Sequence, residues 1–201
     1  MDRNGILNSV RNRLPKQRWE HVQGVMETAV ILAERFGADP VKADLAAILH
    51  DVAKYWPILQ LEQAVIEQHI EGDLLCYDRQ LLHAHVGAYL AESEYGIHDP
   101  EILDAIRYHT SGREQMTVLD KVVCLADYME PGRDFPGVGE IRKLAESSLD
   151  QALIAGFDST ITHLIAQGKS IYPLTIMARN SLIEHIQKLS GGNLCQVNQK
   201  H

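Results

Sequence analysis

The chain has 201 residues, 45% of them hydrophobic, and a formal net charge of −8. That length fits one domain with a sizeable core. The negative balance excludes a broad basic surface of the kind that nucleic acid or an anionic membrane requires.

Apolar residues recur at steps of three and four, and sustained alternation is almost absent, which predicts an all-α fold. Pro, Gly and Asx residues punctuate the pattern. The predicted helices span 3–14, 18–36, 40–52, 57–69, 79–95, 99–108, 117–129, 138–149, 150–167 and 175–188. One unit over 1–189 is expected, with a flexible tail at 190–201, where the apolar period is lost after Ser190-Gly191-Gly192.

In chain order, the beginning, Met1-Asp2-Arg3-Asn4-Gly5, has no apolar signal core. No run approaches the roughly 18 apolar residues of a membrane span. Cys76, Cys124 and Cys195 are odd in number and lack metal-type spacing, so they read as reduced thiols. A cytoplasmic protein is expected.

The second predicted helix carries Arg18 and His21. The third closes an apolar run, Leu45-Ala46-Ala47-Ile48-Leu49, on the adjacent pair His50-Asp51, followed by Val52-Ala53-Lys54. An ionisable doublet at the end of a buried segment is costly unless paired or coordinated. Imidazole and carboxylate together suit zinc, iron, manganese or cobalt. Lys54 falls one helical turn after His50 if the helix persists.

Further candidates follow: His83 in the fifth predicted helix, His109 after the sixth, and Asp127 behind Val122-Val123-Cys124-Leu125-Ala126 in the seventh. Each comes from a different helix, as in metal sites assembled between the helices of a bundle. His85 projects to a different face from His83. It is expected to be structural, as are His69, His98 and His163. His185, on the terminal helix without a partner motif, and His201, in the tail, are the weakest metal candidates.

The segments HDVAK at 50–54, IRYHTSGR at 106–113, LDKVVCLADYMEPGRDFPGV at 119–138 and YPLTIMARN at 172–180 resemble the HD-domain metal phosphohydrolases. Among these they are similar to the YqeK-type symmetrical bis(5'-nucleosyl)-tetraphosphatases. The similarity runs from about Arg18 to about Ile186, and EPGRDFPGV is not a general feature of HD domains.

The resemblance implies an HD-domain helical bundle that binds a divalent metal, iron foremost, with manganese, cobalt or zinc as alternatives. It implies hydrolysis of diadenosine tetraphosphate to two ADP by a metal-activated water. His21, His50, Asp51 and Asp127 take the metal-ligand roles. Asp51, Lys54, His83 and His109 take the catalytic ones, with His83 and His109 contacting substrate phosphate or holding a second metal.

Nucleotide contacts are expected from Arg18, Lys54, His83, His109 and Arg133, and from Ser170, Ile171, Tyr172, Pro173, Leu174 and Thr175. Arg133, in the turn Pro131-Gly132-Arg133-Asp134, suits bidentate capture of phosphate oxygens. Thr175 is expected to cap the last helix, and Tyr172 to stack on a base or join the core. The partners are a dinucleoside polyphosphate and its ADP product, without nucleic acid or membrane, and with a homodimer left open. The rival readings are an HD nucleotide phosphohydrolase or phosphodiesterase of other specificity, a nucleotide-binding regulatory protein without turnover, and a helical structural protein with incidental histidines.

Overall fold

Ten α-helices follow one another in the computed structural model, which describes residues 2–70 and 73–191. They are α1 (Arg3–Arg13), α2 (Lys16–Phe36), α3 (Pro40–Leu49), α4 (Ile58–Glu67), α5 (Leu82–Ser93), α6 (Pro100–Arg107), α7 (Val118–Met129), α8 (Val138–Leu144), α9 (Leu149–Ala166) and α10 (Pro173–Leu189). No strand occurs among the described residues, so the all-α expectation holds. Most of the expected tail lies outside the described residues, as do Cys195 and His201.

Local chemistry explains where the site-bearing helices begin. Asp39 caps α3 by accepting from the amides of Val41 and Lys42, and Pro40 follows at the first helical position. Asp99 and Pro100 repeat the device on α6. On α7, Thr117 and Asp120 form a reciprocal capping box. Each satisfies amides that the helix itself cannot, and proline at the first turn gives up none.

Three expected boundaries are corrected, the first being the end of α8, which stops at Leu144 rather than at 149. Helix α3 ends at Leu49 rather than at 52, and His50 to Tyr55 turn more tightly. The amides of Val52, Lys54 and Trp56 bond three residues back, to Leu49, Asp51 and Ala53, at 3.1, 2.9 and 3.0 Å. Pro57 forces the preceding residue out of helical geometry, so Lys54 reaches the site from a turn and not from a continuing helix.

Helix α10 starts two residues earlier than expected, at Pro173, with Tyr172 rather than Thr175 as its cap. The ring of Pro173 fixes the angle that the first turn needs and has no amide to leave unpaired. Two 3-10 turns, Leu74–Cys76 and Arg79–Leu81, lead into α5. They are too short to leave a periodic trace in sequence.

Helix α2 packs against α3 and α7, α5 against α6, and α9 against α7, α8 and α10. The joint between α2 and α3 buries Val22, Val25, Ala29, Ala33, Ala43, Ala46 and Ala47, whose small side chains let the axes approach. Five consecutive α7 residues, Val122 to Ala126, are fully buried, which makes α7 the central helix. Cys124 is one of these, in keeping with a small apolar core residue.

Gly112 seats the loop after α6 against the C-terminal helices. Its φ is +66°, and a Cβ there would stand 2.6 Å from Phe157 on α9 and 2.7 Å from Ala178 on α10. Only glycine fits, in shape and in backbone angle. No described helix is long and apolar enough to cross a membrane.

Candidate metal centre and active site

The expected ligands gather where several helices end or begin. His21 lies in the second turn of α2, His50 and Asp51 close α3, His83 opens α5, His109 follows α6, and Asp127 stands in the last turn of α7. His50, Asp51, His83 and His109 are buried.

Four imidazoles are oriented in the same manner. The Nδ1 atoms of His50, His83 and His109 donate to the carbonyls of Ala47, Gln80 and Ile106, each three residues back, at 2.6, 2.5 and 2.7 Å. His21 Nδ1 donates to Glu130 Oε1 at 3.0 Å. Carbonyl and carboxylate oxygens accept only, so the proton sits on Nδ1 and each Nε2 turns a lone pair inward.

Those lone pairs meet carboxylates. His21 Nε2 lies 3.0 Å from Asp127 Oδ1, His50 Nε2 lies 3.3 Å from Asp51 Oδ2, and His83 Nε2 lies 3.1 Å from Asp51 Oδ1. His21 Nε2, His50 Nε2 and Asp51 Oδ2 are buried without a well-aligned hydrogen bond. Acceptor against acceptor in a buried site calls for a cation between them. Donor atoms of His21, His50 and Asp127 fall within 4.8 Å of one another, as do those of His50, Asp51 and His109. Mixed imidazole and carboxylate donors with fixed tautomers fit a divalent metal.

The charge states agree. Burial works against ionisation of Asp51, but His50 and His83 outweigh it and hold the carboxyl well below its ordinary range. At Asp127 burial is likewise overcome, by the neighbouring His21 and by Arg133. Burial pushes His109 down to about 3, with His50 and His83 adding to it, and also lowers His83. For His50, burial is more than offset by Asp51, and the net direction is upward, so this Nε2 faces a place for positive charge.

Three cations surround the cluster. Arg18 Nη1 lies 3.0 Å from Asp51 Oδ2. Arg133 donates from Nε to the Asp127 carbonyl at 2.6 Å and from Nη2 to the Asp127 carboxylate. Lys54 makes no ion pair among the described residues. Burial pulls its pKa down, while Asp51 and Asp127 push it up. A cavity of about 770 Å³ opens beside the cluster, lined in part by Arg18, His21, Tyr55, Gly132 and Arg133.

The 170–175 segment stands apart from this gathering. No hydrogen bond or ion pair joins it to the His and Asp cluster among the described residues. Tyr172 packs edge-on against Tyr77 at 5.1 Å, and Thr175 is buried, donating its amide to the Tyr172 carbonyl at 3.0 Å. Nearby, Lys169 pairs with Asp78 at 2.8 Å, and Lys54 adds to the charges that lower the Asp78 pKa after Lys169 and the Gln80 amide.

The other histidines divide. His85 is buried against Tyr108, their rings 5.9 Å apart, while His69, His98 and His163 are exposed. His185, a weak metal candidate for want of a partner motif, pairs with Asp150 at 2.5 Å across 35 residues of sequence.

Thr110, Arg142 and the His21 partner Glu130 escaped the sequence reading. The hydroxyl of Thr110 lies 3.1 Å from His109 Nε2. Arg142 on α8 clamps the turn after α7, donating to the carbonyls of Met129, Glu130 and Arg133 at 3.0, 2.8 and 2.9 Å. Carbonyl targets leave no side-chain pattern, so no signal for Arg142 existed.

The HD domain family matches residues 18–132, the stretch that carries every one of the clustered histidines and carboxylates. A Bacillus subtilis protein named symmetrical bis(5'-nucleosyl)-tetraphosphatase is 48% identical over 183 residues, spanning 91% of this chain and 98% of its own. A protein of the same name from Halalkalibacterium halodurans is 44% identical over the same shares. The crystal structure of a Clostridium acetobutylicum protein, described as an HD superfamily hydrolase involved in NAD metabolism, superposes with a TM-score of 0.88 at 40% identity, covering 92% of this chain and 98% of that one. With a family match across more than half its length and such relatives across nearly all of it, the chain belongs to the HD domain family, beside proteins named symmetrical bis(5'-nucleosyl)-tetraphosphatases.

Proposed function

We propose that this chain hydrolyses dinucleoside tetraphosphates, diadenosine tetraphosphate in particular, symmetrically to two nucleoside diphosphates. The observation that carries the reading is the set of inward lone pairs facing carboxylates, which asks for a divalent metal beside a cavity bordered by cations. The names of the relatives support the substrate and the point of cleavage.

His21, His50, Asp51 and Asp127 hold the metal in this reading, with iron first and manganese, cobalt or zinc as alternatives. When bound, the metal lowers the pKa of a water and draws charge from a phosphoryl oxygen. The chain's own residues supply the remainder. Lys54, Arg18 and Arg133 neutralise the phosphates through charge-assisted bonds. The buried, neutral His83 and His109 offer Nε2 acceptors on the side of Asp51. Asp51 accepts from the attacking water and orients it. The water oxygen bonds to one of the two central phosphorus atoms, the bridging P–O bond breaks, and one nucleoside diphosphate leaves as an anion that needs little protonation.

Ser170, Ile171, Tyr172, Pro173, Leu174 and Thr175 hold the nucleoside side of one half in this proposal. The reading also includes a cytoplasmic protein without nucleic-acid or membrane partners. It includes a homodimer, with the exposed Tyr55, Ile58, Leu59 and Ile66 among the apolar side chains open to such a contact. Sedimentation velocity tests the dimer.

The deciding experiment is a single turnover of diadenosine tetraphosphate in oxygen-18 water. The expected product is ADP alone, half of it with one label on its terminal phosphate. ATP and AMP as products, or binding of ADP without turnover, would overturn the proposal.

A further inference from the structure

We propose that Glu130 is a positioning residue of the metal centre, fixing the tautomer of His21 with one carboxylate oxygen and the phosphate-side turn with the other. Glu130 caps the end of α7, three residues after Asp127, and is 3% exposed. Its Oε1 accepts from His21 Nδ1 at 3.0 Å. Its Oε2 accepts from the Gly132 amide at 2.5 Å, next to Arg133. One buried carboxylate thus ties a metal ligand on α2 to the turn that carries a phosphate-binding cation.

A second feature points to the same role. Gly24 lies one turn beyond His21 on α2, and a Cβ there would stand 2.5 Å from Glu130 Oε2 and 3.3 Å from Glu130 Cβ. The helix has omitted a side chain where the carboxylate must lie. Gly24 has no turn to make, being mid-helix, so its use is clearance. Arg142 holds the Glu130 carbonyl at 2.8 Å, so the backbone cannot retreat. A carboxylate behind a metal-binding imidazole raises its basicity and fixes its orientation.

The inference rests on His21 being a metal ligand, and its test separates the two claims. Manganese(II) alone is the probe, its dissociation constant measured by chelator competition, with the His21 tautomer read by long-range proton–nitrogen NMR on metal-free protein. Glu130→Ala and Gly24→Ala should each weaken manganese binding by about ten to a hundred-fold, and His21 should lose its single Nδ1–H tautomer. Glu130→Gln keeps an oxygen acceptor for Nδ1 and should recover most of the affinity.

Wild-type affinity in both Glu130→Ala and Gly24→Ala, with weakened binding in His21→Ala, overturns the role of Glu130 and leaves the ligand set standing. Wild-type affinity in His21→Ala removes the ligand reading and this inference with it. If Glu130→Ala does not fold, Gly24→Ala and Glu130→Gln carry the test, since neither empties the site.

Discussion

His83 and His109 turn their Nε2 atoms to within 3.2 Å of each other in a buried site, and both rings have already given their Nδ1 protons to backbone carbonyls. Two lone pairs at that separation repel unless something donates between them. The Thr110 hydroxyl, 3.1 Å from His109 Nε2, answers one of the two. His83 Nε2 is left facing both His109 and Asp51 Oδ1. Such a gap fits a water or substrate donor, or a second metal.

These alternatives differ in metal stoichiometry. If His83 and His109 serve the substrate, the protein binds one equivalent of metal. His83→Ala and His109→Ala then keep that equivalent while kcat/KM falls by about a hundred-fold or more. Metal analysis after gel filtration decides: loss of one of two equivalents in either variant assigns the pair to a second metal.

The ligand set and the phosphate cations should separate in the same assay. His50→Ala or Asp51→Ala is expected to lose bound metal and hydrolysis together, because removing one ligand leaves the other buried group poorly compensated. Lys54→Met should keep the metal and lose kcat/KM by about ten to a thousand-fold, since Lys54 has no ion pair to disrupt among the described residues. Arg133→Ala should lower kcat/KM similarly and also weaken metal binding several-fold, because Arg133 grips Asp127. An Asp51→Ala protein that turns over fully without metal would end the metallohydrolase reading.

Acid should destabilise the fold through His85. Burial pushes its pKa down to about 4, with Arg107 adding to the effect, from an ordinary 6.5. As pH falls below 6.5 the unfolded chain takes up a proton that the folded one refuses until about pH 4. Stability is therefore intact above the unfolded value and lost on acidification between the two, by about 3 kcal/mol in all. His85→Gln removes this contribution. Urea unfolding from pH 7 to 4 should show a pH slope smaller by close to one proton, and an unchanged slope would place His85 in contact with water.

The all-α class and the candidate metal-binding side chains are legible in the residues alone. Helical periodicity, Asp-Pro caps and the spacing of His21, His50-Asp51, His83, His109 and Asp127 are local or compositional features, and the described helices agree with them. The Asp-Pro pairs work within a single turn, so reading them needs no knowledge of distant residues.

Which atoms face one another depends on packing between segments far apart in the chain. The Nδ1 partners that aim the imidazoles inward are mostly carbonyls, which every residue possesses and no sequence pattern marks. Glu130 and Gly24 are joined by a clearance across 106 residues, and His185 and Asp150 by a pairing across 35. The α3 end fell three residues short because tight turning before Pro57 prevailed over an apolar run that still read as helix. Cap identity at α10 turned on the backbone at Pro173, where geometry outweighs the hydrogen-bonding promise of Thr175.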